Sequence, residues 1–342
     1  MFLTIAIVVG SFVVSATLTE LTRKFALSHG VLDIPNERSS HSAPTPRGGG
    51  VGIVATTTSG MSALAATGWL SLDLFMALAV GGVAIAIVGF IDDRRRLSAK
   101  VRLAVHFGAA VWALWWLGGL PPLRLGETVV TFGLGGYVLG ALGIVWTLNL
   151  FNFMDGVDGI AASEASFIIG AGTLLTLSGG VVTGAVAAAL LFAAACCGFL
   201  LWNWPPAKIF MGDVGSGYLG YGVVVLALIA ARDNVVALLV WVILGALFFI
   251  DATITLGRRV ARREPAHEAH RSHAYQRLAR RWGSHRSVTL LALGINLLWL
   301  LPCAFFAIQN PRYASWILAL ALLPVCIGVL LAGAGRPESQ AR

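Results

Sequence analysis

Charge is scarce in this sequence. Only 12% of its 342 residues are charged and 57% are hydrophobic, where a soluble globular chain carries about a quarter charged residues. A water-soluble core cannot hide that much apolar surface, so the chain is read as an all-α integral membrane protein. Acids are scarcer than bases, 16 against 24 Lys and Arg, for a net charge of +8. Cysteine is nearly missing. Cys196, Cys197, Cys303 and Cys326 sit in apolar runs without CxxC or Cys/His spacing, which excludes the usual zinc sites and leaves them as small packing residues. No internal repeat is visible. The glycines of "GLGGYVLG" at 133–140 lack the preceding strand that a nucleotide-binding loop needs. The first apolar run has no basic leader and no A-x-A site, so it is expected to stay as a helix.

What the chain does have is long apolar runs. A helix of roughly 20 residues crosses the hydrocarbon core. Eleven runs are candidates, at about 2–19, 51–71, 74–91, 102–119, 136–153, 161–178, 181–202, 217–231, 234–256, 287–308 and 313–332. Alternating sides then puts 21 of the 24 basic residues together and leaves Arg124, Arg232 and Arg312 opposite. Basic residues favour the cytoplasmic side, so the N-terminus is expected outside and the C-terminus inside. The expectation is a single polytopic domain, 1–342, with cytoplasmic loops at about 20–50, 92–101, 203–216 and 257–286. Basicity here follows topology, together with attraction to anionic membrane lipids, and argues against nucleic acid as a partner.

Six acids fall at the inner ends of these runs: Asp92, Asp93, Asp155, Asp158, Asp213 and Asp251. Ionisable groups at such depth are costly and usually functional. Asp251, with Arg258 and Arg259 shortly after it, reads as a helix cap or ion-pair partner. The others come in motifs. In "GFIDDRRRLSAK" the adjacent Asp92 and Asp93 repel unless a cation answers them, either a metal or the basic residues Arg94–Arg96 and Lys100. In "NLFNFMDGVDGI" the residues Asn149, Asn152, Asp155 and Asp158 recur every three positions, each step turning 300° on a helix. They cannot share one face of an unbroken helix. Gly156 and Gly159 permit a break that would gather them.

Oxygen-rich side chains of this kind suit a hard cation such as Mg²⁺ rather than zinc. Asp213 in "FMGDVGSG" lies in a glycine-rich turn leading into a helix, where free N–H groups can hold phosphate oxygens. Two inner loops are basic: "DIPNERSSHSAPTPRGGG" with Arg38, His41 and Arg47, and 257–286, where His267, His270, Arg271 and His273 lie among nine arginines. Carboxylates, glycines and basic loops together point to phosphoryl chemistry on the inner surface. Proton-coupled secondary transport is the rival reading. Transporter sites lie near the midplane in two related halves, whereas these acids cluster at one surface.

The blocks "DIPNERSSHSAPTPRGGG", "DDRRRLSAK", "NLFNFMDGVDGIA", "NWPPAKIFMGDVGSG" and "HRSHAYQ", in this order, resemble the polyprenyl-phosphate N-acetylhexosamine-1-phosphate transferases (glycosyltransferase family 4). The resemblance covers residues 33 to 276. It implies that undecaprenyl phosphate attacks the β-phosphate of a UDP-N-acetylhexosamine and releases UMP, with Mg²⁺ (Mn²⁺ able to substitute) at the cytoplasmic face of the bacterial inner membrane. It implies Asp213 as the metal ligand. Asp92 and Asp93 would bind or activate the lipid phosphate, steered by Lys100 and one of the arginines at 94–96, while Asp155, Asp158, Asn149 and Asn152 would shape the metal and nucleotide site. Thr45, Asn203 and Phe210 match positions facing the uridine. Arg47, His270 and Arg271 are further substrate contacts, and His273 matches the first His of an "HxHH" loop that contacts the diphosphate. Tyr275 and Gln276 depart from that loop, which speaks against a pentapeptide translocase and brings the chain closer to the O-antigen-initiating branch. Membrane lipids are expected partners, and a homodimer is allowed.

Overall fold

The computed structural model describes residues 2–35, 43–95, 97–176, 183–264 and 271–337. Most of it is helical, because backbone groups inside a bilayer must satisfy one another within each segment. The elements in order are α1 (Phe2–Ser28), β1 (Leu32–Asp33), β2 (Thr45–Pro46) and α2 (Gly50–Ala66). Next, α3 (Leu72–Phe75) runs through a π-helical turn into α4 (Gly81–Arg94), followed by α5 (Ala99–Leu117), β3 (Leu123–Leu125) and β4 (Thr128–Val130). Then come α6 (Gly135–Met154), α7 (Ile160–Thr176), α8 (Gly184–Asn203), α9 (Asp213–Asp233), α10 (Ala237–Leu244), α11 (Ala246–Ala261) and α12 (Ala274–Trp282). Finally, α13 (His285–Ile295) continues through a second π-helical turn into α14 (Leu301–Gln309), and α15 (Ala314–Leu331) closes the described chain. β1 pairs antiparallel with β2, and β3 with β4.

A helix underlies each of the eleven expected runs. Seven are long and apolar enough to cross a bilayer, and α10 with α11, bent by 72°, makes an eighth if counted as one span. The shortfall from about eleven has visible causes: α2 and α7 have only 17 residues each, and α5 carries Lys100 and Arg102 in its first turn. Two expected loops are partly helical. α1 continues to Ser28, supported by Glu20 pairing with Arg23 at 2.6 Å and Lys24 at 3.7 Å. Residues 274–282 form α12 rather than open loop.

The bundle is built around α9, whose apolar stretch is 94% buried, while those of α1 and α15 are only 17% and 22% buried and lie at the periphery. Glycine permits the closest approaches. A Cβ on Gly50 of α2 would meet the Gly215 backbone, one on Gly89 of α4 the Asp213 backbone, and one on Gly220 the Thr147 carbonyl of α6. These contacts draw α2, α4 and α6 tightly onto α9. The ends of α4, α6 and α8 and the starts of α5, α7 and α9 thereby gather at one end of the bundle. The opposite end holds the three segregated basic residues: Arg232 pairs with Asp73 at 3.0 Å and Arg312 with Glu127 at 2.9 Å, beside Arg124 in β3.

Candidate active site

The break expected in "NLFNFMDGVDGI" is present. α6 stops at Met154, and Gly159 takes φ +74° just before α7 begins, a conformation that favours glycine. Three of the four polar residues face a common cavity: Asn152, Asp155 and Asp158. Asn149 does not, because it remains helical, donates to the Val145 carbonyl at 2.7 Å and lines a different cavity.

The adjacent carboxylates at the end of α4 are answered by arginines. Asp93 accepts the N–H groups of Asp213 at 2.9 Å and Val214 at 3.1 Å, so it caps the start of α9 from another helix. One Arg47 nitrogen sits 2.8 Å from Asp93 and 3.0 Å from Asp213. Burial works against the Arg47 charge, but Asp93 and Asp213 outweigh it and hold the guanidinium pKa above its usual value. Asp92 accepts from the Leu97 N–H at 2.6 Å and pairs with Arg102 at 2.7 Å. Arg102 also lies 3.9 Å from Asp213. Asn152 donates to Asp213 at 3.1 Å and to Ser216 at 3.0 Å.

The break itself is fastened by polar ties. Asp158 accepts from the Ala207 N–H at 3.0 Å and lies 3.1 Å from His285, while its carbonyl accepts from Thr289. Buried Asn203 accepts from the Gly159 N–H at 3.0 Å and donates to the Ile209 carbonyl at 2.9 Å. Asp155 lies between these ties. Burial first, and then the charge of Asp213, push its carboxyl pKa well above the usual carboxylate range.

Two cavities meet here. One, of ≈ 230 Å³, is polar: Arg47, Asn152, Asp155, Asp213, Arg271 and Arg280 line it, with Asp33, Phe210 and Gln276 also on its wall. The other, of ≈ 490 Å³, has Asp92, Arg102, His106 and Asn149 beside apolar Leu103, Leu142, Val145 and Trp146. Asn152 and Asp213 belong to both.

Several expected contacts lie elsewhere. Lys100 is exposed and lines neither cavity; Arg102, two positions on, stands where Lys100 was expected. Thr45 lies in β2, donates to the Ala43 carbonyl at 3.0 Å and lines neither cavity. His273 is buried at the start of α12, its Nδ1 3.4 Å from Asp251. Asp251 also accepts from the Ala274 and Tyr275 N–H groups at 2.9 and 3.1 Å, which makes it the helix cap its sequence context suggested. The expected roles of Arg96 and His270 fall outside the described residues. Arg102, Asp33, Ser216, Gln276, Arg280 and His285 were not among the expected site residues. Only the basic character of 94–102 and 257–286 hinted at two of them.

Among the described residues, no three His, Cys, Asp or Glu side chains assemble as a metal-holding group. Asp213 and Asp155 nevertheless face one cavity with Asn152. Mg²⁺ usually takes one or two carboxylates and completes its shell with water and substrate phosphates, so this donor set fits it.

Residues 75–231 match glycosyl transferase family 4. The chain is 32% identical over 296 residues to a probable undecaprenyl-phosphate N-acetylglucosaminyl 1-phosphate transferase of Bacillus subtilis, covering 83% of this chain and 80% of that one. The protein belongs to glycosyl transferase family 4. It is also 30% identical to a decaprenyl-phosphate N-acetylglucosaminephosphotransferase of Mycobacterium tuberculosis, over 90% of this chain and 84% of the relative. A phospho-N-acetylmuramoyl-pentapeptide-transferase of Moorella thermoacetica is 33% identical over 53% of this chain and 63% of its own. The family 4 match runs from the end of α3 almost to the end of α9, so it includes Asp92, Asp93, Asn152, Asp155, Asp158 and Asp213. Arg47 and the 271–280 segment, which complete the polar cavity of this family 4 protein, lie outside that match.

Proposed function

We propose that the protein transfers an N-acetylhexosamine-1-phosphate from a UDP-sugar to undecaprenyl phosphate, releasing UMP. The observation that carries this reading is the meeting of the two cavities at Asn152 and Asp213. A polar chamber with arginines suits a nucleotide diphosphate, and an apolar one headed by Arg102 suits a lipid phosphate. A transferase must bring two such unlike substrates to one point.

Arg271 and Arg280 would face the donor diphosphate in the polar chamber, while Arg102 holds the acceptor phosphate across Asp213. An acceptor phosphate oxygen forms the new P–O bond to the sugar-bearing phosphorus, and the bond to UMP breaks. Asp213 and Asp155 would hold Mg²⁺, or Mn²⁺ in its place, which when bound neutralises diphosphate charge and improves the leaving group. Positioning and charge stabilisation carry most of such a reaction. One-step attack is supported by the engagement of both adjacent acids, Asp92 with Leu97 and Arg102, Asp93 with Arg47 and the start of α9. A carboxylate so committed is a poor nucleophile.

In this reading all eleven helical segments cross or enter the bacterial inner membrane, with the N-terminus outside and the site at the cytoplasmic face. The spatial separation of Arg124, Arg232 and Arg312 from the other basic residues supports that orientation. The names of the relatives support N-acetylglucosamine as the sugar, and the product would start O-antigen or another cell-envelope glycan. The test is to supply membranes with undecaprenyl phosphate and radiolabelled UDP-sugars. Label from UDP-N-acetylglucosamine or another UDP-N-acetylhexosamine should enter the lipid fraction; label that stays water-soluble for every sugar would refute the proposal.

A further inference from the structure

His106 lines the chamber read as the acceptor site, and no role in transfer has been assigned to it. It lies on α5 four residues after Arg102, so the two side chains occupy one face of the helix. Both line the larger, mainly apolar cavity. Arg102 is already paired with Asp92 at 2.7 Å. The Nδ1 of His106, in contrast, is buried with no hydrogen-bond partner among the described residues. Buried polar atoms are ordinarily satisfied. The same cavity is lined by Leu103, Leu142, Val145 and Trp146, which can receive a hydrocarbon chain but offer an imidazole no hydrogen bond.

We propose that His106 is a second contact for the acceptor's phosphate, donating a ring N–H to a phosphate oxygen one helical turn from Arg102. The inference rests on the reading of this cavity as the acceptor site. Arg102 alone is shared between Asp92 and the incoming anion. A second donor along the same helix face would fix the orientation of the phosphate as well as its position. That orientation aims one oxygen across Asp213 toward the donor chamber. The ligand class is a phosphomonoester on a long apolar chain, and the contact reads the phosphate, not the chain.

The test compares wild type, His106→Ala, His106→Phe and His106→Gln in lipid nanodiscs. Binding of undecaprenyl phosphate, undecaprenol and inorganic phosphate is measured by calorimetry, with separate transfer kinetics for each substrate. A hydrogen bond to a charged group makes a difference of about tenfold or more. His106→Ala and His106→Phe should therefore weaken undecaprenyl phosphate binding about tenfold and raise its KM alike. KM for the UDP-sugar and binding of undecaprenol should not change. His106→Gln, which keeps an N–H donor, should recover most of the loss. Ala and Phe variants that bind undecaprenyl phosphate as tightly as the wild type would overturn the proposal. So would a loss shared by undecaprenol, which marks a packing role, or wild-type binding of inorganic phosphate as tight as that of the lipid. Wild-type protein that binds undecaprenyl phosphate but transfers no sugar refutes the proposed reaction, and the binding series still decides the role of His106. Failure of the wild type to bind undecaprenyl phosphate refutes both.

Discussion

The carboxylate of Asp93 caps the helix that begins at Asp213, accepting its N–H at 2.9 Å while sharing Arg47 with the Asp213 side chain. One acid thus sets the backbone position and the charge balance of another, 120 residues away. Removing a helix cap costs about 1–2 kcal/mol. Asp93→Ala should therefore lower the thermal midpoint of the purified protein as well as its turnover. A variant of unchanged stability would show that the cap is not formed.

Arg102, not Lys100, answers Asp92. The reason is rotational: two positions on a helix turn the side chain by about 200°, so Lys100 and Arg102 cannot share a face once α5 starts at Ala99. Arg102→Ala should raise KM for undecaprenyl phosphate at least tenfold, since it strips a charged hydrogen-bond donor from the phosphate, whereas Lys100→Ala should leave it within about twofold. Steady-state kinetics with the lipid varied in mixed micelles would check both, and the reverse ranking would restore Lys100.

That pair of residues marks how far the sequence could be read. The break at Asp155–Gly159 was legible because glycine spacing and helical geometry act locally. The two end-capping acids were only half legible. Whether Asp93 and Asp251 meet a helix start depends on which helix the fold lays beside them: Asp93 caps a helix 120 residues on, and Asp251 one 23 residues on across a loop. The burial of His273, expected as a diphosphate contact, was hidden for the same reason: it follows from Asp251, which lies 22 positions earlier and draws the start of α12 inward. The helix count was harder to read because α2 and α7 are short and α5 opens with Lys100 and Arg102.

Asp155 should make the ligand-free protein less stable as pH rises. Its folded pKa lies well above the unfolded value. Between those two values the native state therefore binds more protons than the unfolded state, and stability falls with increasing pH. Asp155→Asn removes the titration. In the absence of substrate it should raise the thermal midpoint at neutral pH, flatten the pH dependence above the carboxylate range and abolish transfer. A midpoint that falls at neutral pH would contradict the assignment.

Topology can be checked by labelling. With exposed Cys197 first replaced by serine, cysteines introduced at Arg95 and Arg271 should react only with reagents that reach the cytoplasm. One at Arg312 should react with an impermeant reagent in intact cells. Impermeant labelling at position 95 or 271 would invert the arrangement.

The most direct test of the whole account is isotope exchange in purified, delipidated protein. Labelled UMP, unlabelled UDP-N-acetylglucosamine and Mg²⁺ are supplied with or without undecaprenyl phosphate. One-step transfer between two chambers that meet at Asp213 requires both substrates, so label should enter the UDP-sugar only when the lipid is present. Robust exchange without lipid, lost in Asp92→Asn, would contradict the account and make Asp92 the nucleophile of a covalent intermediate.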